Sequence, residues 1–238
     1  MGQPCGAARA GLRGVLGRTA HRGVARQEHQ IHRKLKIAGF PFAATLEQFA
    51  FSLHPELKRA VMIRFFDSSF IEKASSLIFI GPSGVGKTHL AVALGTKMVQ
   101  LGYAVRFLTA QRFANQALAA TTRADVDGVL QPLLTCHLLI LDEFGSLNGD
   151  PRIGPALYEL ISGRYEKRAT VITSNKSLTN WGEVIGGDTA LMMAVIDRLL
   201  HHGEVFYLRG ASHRLRGKEA LLLATPPTTV DLAPTAAG

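Results

Sequence analysis

Eight residues, Gly81-Pro82-Ser83-Gly84-Val85-Gly86-Lys87-Thr88, constrain this chain more than any other feature. They follow the pattern G-x-x-x-x-G-K-[ST], whose loop works only between a strand and a helix. Upstream lies Leu77-Ile78-Phe79-Ile80, short, apolar and rich in β-formers, which predicts a buried strand. Downstream, Leu90, Leu94, Met98 and Leu101 recur at helical spacing until Gly102 stops the run. Strand, glycine loop and helix thus follow in the required order. The glycines let backbone N–H groups turn inward around phosphate oxygens, and the helix N-terminus adds its positive dipole end. Lys87 is expected to reach the β- and γ-phosphates, and the Thr88 hydroxyl to ligate Mg²⁺. The motif therefore predicts a nucleoside triphosphate site.

Around that loop, apolar runs alternate with helical patterns. Ala104–Leu108, His137–Leu141, Ala169–Thr173 and Glu204–Leu208 complete a set of five strand candidates. Helical stretches are expected at about Gln111 to Ala120, Val126 to Leu134, Gly154 to Tyr165 and Ala190 to Leu200. Strands alternating with helices imply right-handed crossovers and a mainly parallel sheet with helices on both faces. Ligands on such sheets gather beyond the carboxyl ends of the strands, where the glycine loop, Asp142-Glu143 and Asn175 all fall.

Two carboxylates after four apolar residues, Leu138-Leu139-Ile140-Leu141-Asp142-Glu143, are poor design for a plain strand, since charge in a cleft must be compensated. Beside a phosphate-bound Mg²⁺ they make sense. Asp142 is expected to organise the metal through its water shell, and Glu143 to act as general base on the attacking water. Thr173-Ser174-Asn175 ends the fourth strand, and a polar side chain there can hold that water or touch the γ-phosphate. Taken alone, the triplet is also an ordinary strand-to-loop turn. Arg198, in Asp197-Arg198-Leu199, is either a solvated helix residue or an arginine reaching a neighbouring subunit's phosphate.

The formal net charge of +9 is unevenly spread. Residues 1–36 hold eight Arg and Lys side chains against Glu28 alone, a basic arm on a nearly neutral body. Such an arm points to a polyanion, nucleic acid first, or to disorder. An organelle transit peptide is the rival, against which stands the absence of serine before Ser52. Residues 224–238, rich in Pro, Thr and Ala, read as a floppy tail, leaving 37–223 as the folded domain. The two cysteines, Cys5 and Cys136, make no disulfide framework or metal cluster. No apolar run approaches bilayer length, so a cytoplasmic protein with no membrane partner is expected.

Glycine loop, Asp-Glu strand end, Thr-Ser-Asn and Asp-Arg-Leu, in that order, resemble the AAA+ ATPases. Within them the chain looks like the IstB-type transposition helpers, close kin of the DnaC helicase loaders and the DnaA initiator. Trp181-Gly182-Glu183 and His201-His202 sharpen the likeness, which runs from about Leu35 to Lys218. The resemblance implies an AAA+ type P-loop NTPase fold with ATP and Mg²⁺ as cofactors. It makes Gly81 to Thr88 the Walker A loop, Asp142 and Glu143 the Walker B pair and Asn175 the sensor-1 residue. Arg198 resembles an arginine finger acting in trans, and Arg214 a sensor-2-like arginine. It also implies head-to-tail homo-oligomers on double-stranded DNA and DNA-stimulated ATP hydrolysis. The implied partner is a transposase encoded nearby or, for a loader, a replicative helicase; a DNA-binding adaptor using ATP only as a switch is the third reading. The stretch Gln111 to Leu134 looks like an initiator-type insertion, with Arg112 and Arg123 either touching DNA phosphates or merely solvated. Members usually carry a longer N-terminal helical domain, so the chain reads as a shortened copy; His213 stands where tyrosine is commoner.

Overall fold

The computed structural model describes residues 28–210. Its centre is one five-stranded sheet of β1 (Ser76–Ile80), β2 (Val105–Thr109), β3 (Leu138–Asp142), β4 (Ala169–Ser174) and β5 (Gly203–Tyr207). The spatial order is β2-β3-β4-β1-β5 and every neighbouring pair is parallel. Each strand expected from an apolar run is present, displaced by one residue at most. The three central strands are buried throughout, as continuous apolar runs in a parallel sheet must be.

Alternate residues of each strand feed opposite faces. Leu77, Phe79, Leu138, Ile140 and Val171 pack under α4 (Lys87–Gln100) and the segment before β1. Ile78, Ile80, Leu139, Leu141 and Ile172 pack under the other helices. Those are α5 (Ala110–Ala119), α6 (Arg123–Thr135), α7 (Ile153–Arg164) and α8 (Thr189–His201). Each such side chain removed from water contributes about 1.5–3 kcal/mol. The chain leaves β1 toward one face and leaves β3 and β4 toward the other, so a crevice opens at their carboxyl ends.

Local chemistry explains the helix limits. Thr109 accepts from the Arg112 amide to start α5, and Asp188 accepts from the Leu191 amide to start α8. Thr122 and Asp125 form a reciprocal capping box, so α6 begins three residues before the position that its apolar periodicity suggests. At the other end of the first long helix, Leu101 was expected on the buried stripe with Leu90, Leu94 and Met98. It instead follows the last turn of α4 and is exposed.

Residues 28–38 form a further helix, α1, which docks on the body: Lys34 Nζ donates to the Gly102 carbonyl and Arg106 Nη1 to the Ile37 carbonyl. The rest of the basic arm, the C-terminal tail, Arg214 and His213 lie outside the described residues. Between α1 and β1 the chain makes only short helices, α2 (Arg59–Ile63) and α3 (Ser69–Glu72), and a 3-10 turn, Phe51–Leu53. Among the described residues, no helix is long and apolar enough to cross a membrane.

Candidate nucleotide site

Gly86 sets the entry angle of α4. Its φ of 96° is a left-handed conformation that glycine adopts without strain. A Cβ there would also meet Phe49 Cε2 at 2.7 Å, so glycine is required twice over. Lys87 opens the helix, and its Nζ donates to the Gly81 and Pro82 carbonyls, both at 2.7 Å. The first-turn amides of α4 have no helical acceptor of their own and face the loop.

The carboxylate half of the site is wired to the loop through one atom. Asp142, the last residue of β3, is 4% exposed, and its Oδ1 accepts from Thr88 Oγ1 at 2.8 Å and from Thr173 Oγ1 at 2.5 Å. Thr173 Oγ1 in turn accepts from the Glu143 amide at 3.0 Å. The Thr173 hydroxyl thus fixes both acidic positions from the neighbouring strand. Sequence reading gave that triplet's role to Asn175 and missed Thr173; its signal was a hydroxyl at a fully buried strand position.

Glu143 departs from the strand with φ 57°, a conformation uncommon for a residue with a side chain. The turn lifts its carboxylate out of the sheet into the cleft, where it is exposed. Strain of this kind persists only where the surroundings enforce it. Phe144 and Trp181 supply that support, with ring centroids 4.3 Å apart and both side chains fully buried. Trp181, in the 3-10 segment after β4, donates through Nε1 to Ser174 Oγ at 3.2 Å, so the ring that packs on Phe144 is anchored to the end of β4. Gly145 lets Asn175 in: a Cβ at that position would collide with Asn175 Oδ1.

Ser83, Gly84, Gly86, Lys87, Thr88, Glu143, Thr173 and Asn175 line one cavity of about 410 Å³. Its remaining wall was not read from the sequence. Phe42, Gln48, Phe49 and Ala50 from the segment before β1 cross it, with His89 from α4. His89 Nε2 lies 3.0 Å from the Thr45 carbonyl and its ring 5.9 Å from Phe49, which pins the segment to the helix. The available cue was four phenylalanines, Phe40, Phe42, Phe49 and Phe51, within twelve residues.

Arg198 is absent from this cavity. It lies on α8 near Ser76 and Thr170, at the starts of β1 and β4 and so at the opposite end of the strands from the cavity. There Nη2 donates to Tyr158 Oη at 2.9 Å and Nη1 to the Ala194 carbonyl at 2.8 Å, with the guanidinium 4.8 Å from the Tyr158 ring centroid. Arg112 is exposed on α5. Arg123 makes a two-pronged bond to Glu159 and an ion pair with Asp127, which together raise its pKa, the Glu159 bond most. Of the two insertion arginines, Arg123 is thus held by carboxylates on its own surface.

A five-stranded parallel sheet in this order, with a glycine loop after β1 and an acidic pair after β3, defines a P-loop protein of the AAA+ type. The structure of AMPPCP-bound DnaA from Aquifex aeolicus shares that fold, with a TM-score of 0.58 at 20% identity over 78% of this chain and 56% of that one. A family model described as IstB-like ATP binding protein matches residues 8–220, and the chain belongs to that family. It is 38% identical over 204 residues to the ATP-binding protein of insertion sequence IS21 from Pseudomonas aeruginosa, covering 86% of this chain and 77% of that protein. To the corresponding IS5376 protein of Geobacillus stearothermophilus it is 36% identical over 195 residues, covering 82% and 77%.

Proposed function

We propose that this chain binds and hydrolyses ATP and, assembled head to tail on double-stranded DNA, assists the transposase of its insertion sequence. One observation carries the reading: Lys87, Thr88 bonded to Asp142, Glu143 and Asn175 converge on one cavity at the carboxyl ends of adjacent parallel strands. ATP would lie with its phosphates in the loop, gripped by the α4 amides and Lys87. The aromatic wall of Phe42, Phe49 and His89 is placed to take the base.

The hydroxyl of Thr88 and the carboxylate of Asp142 are hard oxygen donors held side by side, a set that suits Mg²⁺. When bound there, that ion would supply positive charge to offset the charge developing on the phosphates. Glu143 takes the proton from the water that attacks the γ-phosphorus, while the bond to the ADP oxygen breaks. Asn175 orients that water. Arg214 serves as a sensor-2-like arginine toward the bound nucleotide.

Arg198 is assigned to the neighbouring subunit's site. It sits on α8 at the end of the strands opposite its own cavity, and the same helix exposes the apolar side chains Met193 and Leu200 on another face, which a second copy would cover. A head-to-tail contact of this kind repeats into a ring or a filament. Arg198→Ala is expected to leave ATP affinity within about twofold and to cut hydrolysis in the assembled state by roughly 10³-fold or more. Mixing Arg198→Ala with a Lys87→Ala chain checks this: only the mixture can build a site with an intact loop on one side and a finger on the other. Recovery of activity in the mixture supports action in trans; none argues against it.

The reading as a whole is tested by ATPase rate and particle size with duplex and with single-stranded DNA. Stimulation and growth on duplex, falling steeply with salt, are expected. A response confined to single strands would favour the helicase-loader alternative instead.

A further inference from the structure

We infer that Glu166, His201 and His202 form a binding site for a divalent transition-metal ion, zinc-like in preference, which clamps the ends of α7 and α8 together. The double histidine sharpens the family likeness, and the nucleotide site makes no use of it. Its structural setting gives it a different chemistry.

Glu166 follows α7 and His201 and His202 end α8, so three side chains from two helix C-termini meet at one point. One ligating atom from each lies within 4.8 Å of the others. His202 Nε2 is 3.3 Å from Glu166 Oε1, and His201 Nδ1 is 3.7 Å from the same oxygen. Zinc bonds of about 2.0–2.1 Å at a tetrahedral angle put neighbouring ligand atoms roughly 3.3 Å apart. Two of the three separations are thus close to that spacing before any ion is added. Two imidazoles and one carboxylate are a borderline-soft set that selects zinc, cobalt or nickel over magnesium or calcium. Two converging helix C-termini bring their negative dipole ends to the same place, which favours a cation.

Glu166 reaches this position through a left-handed backbone, φ 56°, one of three non-glycine residues described in that region. That conformation turns the chain back at the end of α7 and presents the carboxylate to the histidines. Tyr165 supplies the competing contact: its hydroxyl is 2.8 Å from His201 Nδ1. A metal ion bound at His201 Nδ1 would displace that hydroxyl. All three ligands are exposed, so an ion enters from solvent and substitutions there leave the fold intact. Arg198 precedes His201 by three residues on the same helix, so an ion here would stiffen the turn that carries it.

The test is equilibrium binding of Zn²⁺ to the full, untagged chain, beside His201→Ala, His202→Ala and Glu166→Gln. The parent is expected to hold one more ion per chain than either histidine variant, with Glu166→Gln weakened by at least about tenfold. The other histidines and the cysteines are the same in all four proteins, so they drop out of the difference. Co²⁺ in place of Zn²⁺ should give the visible bands of a four-coordinate site, lost in His202→Ala. Tyr165→Phe should bind as tightly as the parent or more so. Equal ion counts in parent and histidine variants would overturn the proposal, as would Tyr165→Phe losing the site. Because the readout is metal content, it stands or falls independently of ATP hydrolysis.

Discussion

Glu143→Gln is expected to retain ATP while losing hydrolysis by about 10²–10⁴-fold, the range for removal of a positioned general base. The amide keeps the size and shape of the side chain, so the left-handed turn at Glu143 and its amide bond to Thr173 Oγ1 survive. What disappears is a carboxylate able to accept a proton from water. Lys87, Thr88 and Asp142 are untouched, so the contacts to the phosphates persist. The variant should therefore accumulate in the ATP-bound state, and oligomers on duplex DNA should persist rather than turn over. Single-turnover hydrolysis with a parallel ATP-binding measurement checks both halves. Turnover at the parental rate would remove Glu143 from the role of base.

The second large effect lies outside the cleft. Arg164→Ala is expected to cost about 3–5 kcal/mol of stability through lost buried hydrogen bonds and a cavity. Arg164 ends α7 and is 1% exposed. Its Nε donates to Thr170 Oγ1 at 3.1 Å, Nη1 to the Leu133 and Cys136 carbonyls, and Nη2 to the Ala169 carbonyl. One guanidinium thus joins the end of α6, the end of α7 and the starts of β3 and β4. Burial lowers its pKa, offset in part by the Cys136 thiol, and among the described residues no carboxylate bonds it. Carbonyl dipoles carry the compensation. Alanine would take a donor from three buried carbonyls, leaving that of Leu133 only the weak Cys136 thiol, and would open a cavity the size of the side chain. At 2–4 °C per kcal/mol for a domain of this size, Tm should fall by roughly 6–20 °C. Lys167→Ala, three residues on from the same helix end and exposed, is the control and should stay within about 0.5 kcal/mol.

The comparison of sequence with structure separates two kinds of information. The sheet was legible because its central strands are buried on both faces and therefore write themselves as unbroken apolar runs. The loop was legible because its glycines, Lys87 and Thr88 are contiguous. Asp142, Glu143 and Asn175 were legible because parallel topology sends all strand ends to one place. What escaped was long-range. That Phe42, Gln48 and Phe49 close the cleft depends on how a stretch of turns with no regular helix lies against α4, which no periodicity encodes. Arg123 pairs with Glu159, a residue on another helix, so its charge alone could not say whether it meets DNA or protein. Arg164 looks like any basic residue at a helix C-terminus, where a solvated role is the ordinary one. Thr173 sits in a run of β-formers, and only its register beside β3 turns its hydroxyl into the link between two acids.

Titration of ATP with Mg²⁺ into the folded protein, followed by calorimetry, tests the central claim most directly. Saturable binding of one nucleotide per chain is expected, and Lys87→Ala should weaken it by at least about 100-fold while leaving the fold intact. No uptake of ATP by the folded parent, or equal uptake by the two proteins, would contradict it.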